Sequence, residues 1–219
     1  DEAFPAVFQT ASGLKAINLA YRGYGPHQML RILETGGEIP ATARYRPIQA
    51  FYLFIPDHLD WAAGNSYWDP DEPRYELDPG GLLRYRGPWR GRLAAAAIKH
   101  FYRSAVARWC WQHWPHAADR EDERDVERFA AIVAELRRVF KERYRGDFSV
   151  LFLSSSDSGH SARRIMEMLR RRGVAVAMLA EAVPELSRQE LYLPHDGHPG
   201  AAQHRAVGIY LAQRGLAER

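Results

Sequence analysis

One cysteine in 219 residues excludes an internal disulfide and any cysteine-based zinc site. No apolar run approaches the roughly 20 residues that span a bilayer, so no membrane segment is expected. The first residues, DEAFPAVFQTASG, lack a basic start followed by an apolar core, and no signal peptide is visible in them. The compartment, cytoplasmic or exported, stays open. Lysine is scarce as well: three lysines stand beside 27 arginines. The arginines do not build a nucleic-acid footprint, because 30 basic and 27 acidic residues interleave to a net charge of only +3. No nucleic-acid partner and no cofactor are therefore expected. Cys110 falls in an apolar helical run over residues 105–114 and reads as a buried, inert thiol.

What is present is an alternation of helical and strand-like segments. A short helical period over residues 3–12 stops at Gly13. KAINLAY (15–21) reads as a strand, followed by the turn Arg22-Gly23-Tyr24-Gly25-Pro26 and a helix from His27 that ends at Gly36-Gly37. IQAFYLFI (48–55) is apolar throughout, as in a strand buried on both faces. Residues 60–91, rich in Trp, Tyr, Gly, Pro and Asp, break the rhythm. Within them PRYEL, DPGG and LLRYRG predict a hairpin, read as an insertion or cap within one domain covering 1–219.

Residues 92–114 predict one helix whose aromatic end (Trp109, Trp111, Trp114) packs under the insertion, a dimer contact or membrane-surface patch being the alternative. Residues 117–144 predict a second long helix with Val126, Phe129, Val133, Leu136 and Phe140 on one stripe, acidic at its start and basic at its end. FSVLFL (148–153) and VAVAML (174–179) predict strands on either side of a helix over 160–172 that turns Ile165, Met168 and Leu169 inward. A last helix over 201–216 should bury Val207, Ile209, Tyr210 and Leu211. Such alternation predicts an α/β fold with an open, doubly wound parallel sheet. In that architecture Gly23, Asp57, residues 154–157 and the loop holding Asp196 and His198 all fall beyond the carboxyl ends of strands.

The loop LYLPHDGHPGAAQH (191–204) places Asp196 two residues before His198, just ahead of the last helix. A carboxylate beside an imidazole can fix the ring tautomer and leave the other nitrogen to take a proton, as a general base requires. The same residues also suit an ordinary surface turn that starts a helix. His195, His198 and His204 with Asp196 could instead form a metal cluster, but no second His or Cys group supports one, and no metal is expected. Gly23-Tyr24-Gly25 lacks the spacing and lysine of a phosphate loop.

Three pieces resemble the SGNH/GDSL hydrolase superfamily, in the right order: INLAYRGYGPHQ (17–28), FYLFIPDHLDW (51–61) and LYLPHDGHPGAAQHRAVGIYLAQ (191–213). The resemblance implies a three-layer α/β/α sandwich with a flavodoxin-like parallel sheet. It also implies a serine esterase, lipase or acetylesterase in which a Ser from a Gly-Asp-Ser turn attacks an ester carbonyl. His198 would be the base, Asp196 its orienting acid, and Gly23 a backbone oxyanion donor, a role that needs close backbone approach. The substrate would be a small-molecule or saccharide ester.

The sequence departs from that pattern in two ways. No Gly-Asp-Ser occurs in it, so the chain is expected to begin after the first strand and nucleophile turn, and to be inactive by itself. The family's Asn position falls at Asp57-His58, and an ionised Asp cannot donate to an oxyanion, so a protonated Asp57, His58, or neither would serve. Ser154, Ser155 and Ser156 could supply a nucleophile, although serine also favours such turns and helix caps. An O-acyltransferase acting on a saccharide, and a degenerate member that binds a glycan or partner without catalysis, are the alternatives.

Overall fold

The computed structural model describes residues 3–36, 49–66, 68–113, 122–153, 160–187, 193 and 198–217. Its centre is a parallel sheet in the order β1-β4-β5, formed by Gln49–Phe54, Asp147–Phe152 and Ala175–Met178. Tyr52 sits opposite Val150, and Val150 opposite Val176. Side-chain alternation sends Tyr52, Phe54, Val150 and Phe152 to one face and Phe51, Leu53 and Leu151 to the other. Each face meets its own helices.

The first face is covered by α2 (Pro26–Thr35), α6 (Glu123–Tyr144) and α7 (His160–Arg171). The stripe predicted on α6 is buried throughout, and Asp122 caps the helix by accepting the Arg124 N–H. In α7 the buried positions are Ile165, Met166 and Leu169, while Met168 is only half-buried.

The opposite face is covered by α8 (Leu179–Ala182), a 3-10 turn at Pro184–Ser187 and the last helix, α9 (Ala201–Ala217), on which α1 (Phe4–Ser12) packs. Gly208 permits that crossing: a Cβ there would lie 2.6 Å from Val7 Cβ and 2.9 Å from the Phe4 carbonyl oxygen. In α9 Gln203, Val207 and Leu211, spaced by four, are buried together with Gly208 and Ala212. Ile209 faces outward, 42% exposed, contrary to expectation.

The hairpin forms as expected, as β2 (Pro73–Leu77) and β3 (Leu83–Pro88). Asp78 closes its turn by accepting the Gly80 and Leu82 N–H groups. Tyr75 is buried and donates its hydroxyl to Glu34 of α2 at 2.6 Å, so the hairpin belongs to the main core.

Further expectations fail. Residues 15–21 are not a strand: their N–H groups turn to local side chains, Ala16 to Gln9 and Ala20 to Asn18, and Leu19 and Tyr21 are exposed. Such local bonds compete with a ladder, and among the described residues β1 pairs with β4 alone. The single helix over 92–114 divides into α4 (Arg92–Phe101) and α5 (Ala105–His113). Cys110 is exposed, not buried. Trp109 is 59% exposed and does not pack under the hairpin. Of residues 105–110 in α5, only Ala107 is buried, and the side chains of Trp111 and Trp114 lie outside the described residues. Finally, the chain after β1 forms a short helix, α3 (Asp57–Ala62), before the inserted residues.

Candidate active site

The turn before α2 needs its glycines. Gly23 has φ +77°, in the left-handed region, and a Cβ on it would lie 2.7 Å from Trp68 Nε1. The Trp68 indole N–H reaches toward the Gly23 carbonyl at 3.5 Å. A Cβ on Gly25 would lie 2.9 Å from His27 Cε1. Gly25 is the N-cap of α2, and its N–H donates to Gln28 Oε1 at 2.7 Å, so the third residue of the helix reaches back over the turn.

Beneath this turn lies a buried polar cluster. His27 Nε2 is 2.8 Å from Glu72 Oε2, and neither side chain is exposed. Ser66 Oγ donates to both Glu72 oxygens at 2.9 Å. Gln28 Nε2 donates to Glu72 at 3.2 Å and to Asp69 at 3.3 Å. Burial disfavours charge throughout. It lowers His27 to about 3, with Asp69 opposing, and raises Glu72 to about 8, with the Ser66 bonds opposing. Although Ser66, His27 and a carboxylate meet here, they are not a hydrolytic triad: Ser66 bonds to the acid and not to the imidazole, and it is 1% exposed.

His58, in the first turn of α3, faces inward beside this cluster, whereas its neighbour Asp57 is exposed. The Tyr52 hydroxyl lies 2.6 Å from His58 Nδ1. Burial raises the Tyr52 pKa well above its ordinary value, so the phenol keeps its proton. Burial, with the neighbouring His27, lowers His58 to about 3, so its ring is neutral. In the tautomer that accepts the phenol proton at Nδ1, His58 carries its own proton on Nε2 and offers an N–H donor there. Its ring meets Trp61 edge-on at 5.0 Å, and Trp61 meets Trp68 at 5.1 Å. That aromatic row leads back to Gly23.

The loop before α9 is different in kind. His198 is exposed, and its carbonyl accepts the Leu193 N–H at 2.8 Å. Asp196, His195 and residues 154–157 lie outside the described residues, so no Asp196–His198 geometry is available. His204 stacks on Phe4 with ring centroids 6.1 Å apart, and burial lowers its pKa. A cavity of about 450 Å³ borders the buried cluster through Ser66, with Asn65 and Arg90 at its polar side and Ile98 and Phe101 at its apolar side. Gly23, His58 and His198 do not line it.

Of the expected site residues, the structure brings Gly23 and His58 into one neighbourhood and leaves Asp57 outside it. Sequence reasoning missed His27, Gln28, Tyr52, Ser66 and Glu72. His27 and Gln28 were in view, inside GYGPHQ, but Glu72 looks like Asp69 and Asp71, its acidic neighbours in the inserted stretch. Compared with family models, curated proteins and solved structures, the chain matches none.

Proposed function

We propose that this chain forms the body of a serine ester hydrolase of the SGNH/GDSL kind, an α/β/α sandwich in which His198 is the base and Asp196 its orienting acid. Gly23 N–H and His58 Nε2–H donate to the oxyanion. A serine hydroxyl adds to the ester carbonyl and gives its proton to His198. The charge that moves to the carbonyl oxygen is met by the two donors. Collapse expels the alcohol, which takes the proton from His198. Water then repeats the sequence on the acyl-enzyme and releases the acid. The nucleophile belongs to a Gly-Asp-Ser turn that the 219 residues do not contain.

The observation that carries this reading is the state of His58. It is buried and neutral, with the Tyr52 hydroxyl 2.6 Å from its Nδ1, and stands in the neighbourhood of the turn whose Gly23 has the left-handed backbone that favours glycine; in the proposed site its proton is on Nε2. Donors fixed before reaction stabilise developing charge without reorganising, and losing one typically costs about 10²–10³ in turnover.

Asp57 at the family's Asn position favours a second reading, a non-catalytic member that binds a glycan or partner. Hydrolysis of p-nitrophenyl acetate separates the two. The test protein is expressed with the coding sequence that precedes Asp1, and the 219-residue chain serves as control. Turnover by the longer protein alone, abolished by His198→Ala, is expected. A longer protein that carries the serine turn and shows no ester hydrolysis would contradict the proposal.

A further inference from the structure

We infer that Glu72, in the inserted segment, is the positioning residue for the Gly23–Gly25 turn, acting through the Gln28 amide. This rests on the reading of Gly23 as an oxyanion donor. The amide group of Gln28 has one acceptor and two donor hydrogens, and the structure uses both ends. Oε1 holds the Gly25 N–H at 2.7 Å, while Nε2 is held by Glu72 at 3.2 Å and by Asp69 at 3.3 Å. Two carboxylates on the nitrogen side leave one orientation of the amide, with its oxygen toward Gly25. Without them the amide could turn over, and the capping bond would lose its acceptor.

Glu72 is the stronger anchor. It is 1% exposed, accepts the Ser66 hydroxyl on its oxygens and pairs through Oε2 with His27 Nε2, so two buried side chains fix its position. Asp69 is more exposed and is shared with Lys99 of α4, at 3.8 Å. The groups that surround Glu72 are His27 from α2, Asp69 from its own segment and Arg90 beyond β3, with His58 of α3 next to His27. The His27 imidazole also lies where a Gly25 side chain would be, so the same cluster sets the floor of the turn. The inserted residues thus do more than cover the site: they fasten the backbone that presents Gly23.

Amide hydrogen exchange at Gly25 in the 219-residue chain, followed by NMR, tests this without any substrate. Glu72→Ala should speed Gly25 exchange about tenfold, the loss of one protected hydrogen bond, while Leu151 in β4 is unaffected. Glu72→Gln, which keeps an acceptor for Gln28, should restore protection to near the wild-type rate. If Glu72→Ala does not fold, Glu72→Asp, whose shorter arm cannot reach Gln28 and His27 together, replaces it. Unchanged Gly25 exchange, or a change that only follows Leu151, overturns the inference.

The longer protein supplies the second arm, in which Glu72→Ala should lower kcat about tenfold with little change in KM, and Glu72→Gln should recover it. An active wild type whose kcat ignores Glu72→Ala also overturns the inference. A wild type with no esterase activity overturns the functional reading instead, and Gly25 exchange still decides the role of Glu72.

Discussion

The two places that carry the candidate chemistry differ in how they are built. The Gly23–His58 region is half-buried at Gly23 and buried at His58, with one hydrogen bond joining β1 to α3 and others joining α2 to the insertion. The His198 loop is exposed at its histidine, whose carbonyl accepts the Leu193 N–H. The more recognisable sequence motif is thus the exposed one. The difference follows from what each group must do. A donor to an oxyanion gains from a dry, fixed setting, where charge interactions are strong and no reorganisation is needed. A base must exchange protons with substrate and water, and an exposed imidazole can do that.

The contrast can be broken most severely by mutation in the longer protein. His198→Ala should abolish ester hydrolysis, a loss of about 10⁴ or more. His58→Leu, which removes the buried donor, should cost about 10²–10³ in kcat. His58→Asn restores an N–H donor of shorter reach and should recover part of that loss. Equal losses from His58→Leu and His58→Asn would show that His58 serves packing alone.

Stability against pH sharpens the buried half. Glu72 is raised from 4.5 to about 8, so its contribution is complete below pH 4.5 and is lost as pH rises toward 8. His27 and His58 are lowered from 6.5 to about 3, so theirs are complete above pH 6.5 and are lost as pH falls toward 3. Between pH 4.5 and 6.5 the two histidines outweigh the one acid, and above 6.5 only the acid acts. Their joint contribution therefore peaks near pH 6.5 and then declines, by at most roughly 1 kcal/mol per pH unit. In chemical denaturation of the 219-residue chain, Glu72→Gln should flatten the decline between pH 6.5 and 8. An alkaline limb of unchanged slope would mean that Glu72 is already ionised at neutral pH.

A smaller effect is expected on the opposite sheet face. Gly208→Ala gains about 1 kcal/mol in helix propensity but forces α1 away from α9, an overpacking cost of about 1–3 kcal/mol. The contact is with the Phe4 backbone oxygen, which cannot rotate aside, so net destabilisation of up to about 2 kcal/mol should appear in a melting curve.

Much of the fold was legible because the signals were local. The apolar runs of β1, β4 and β5, the stripe on α6 and the Pro-Gly hairpin each follow from residue spacing, and each formed. KAINLAY has strand composition, yet a strand also needs a neighbour, and composition does not report one. The split between α4 and α5 and the outward faces of Trp109 and Cys110 depend on what the helix packs against, which spacing leaves open. At the site, Gly23 was legible from its turn. The choice between Asp57 and His58 was not, because it turns on which of two adjacent residues faces inward from a short helix. Glu72 was hidden for a similar reason: burial distinguishes it from Asp69 and Asp71, and burial arises from tertiary packing.

The protonation state of His58 tests the central claim most directly. Long-range nitrogen–proton NMR on the 219-residue chain reports which ring nitrogen carries the proton and at what pH the second one binds. The account predicts a neutral ring protonated on Nε2, with Nδ1 bare, from pH 8 down to about pH 4. A ring that titrates near 6.5, or one that carries its proton on Nδ1, would contradict it.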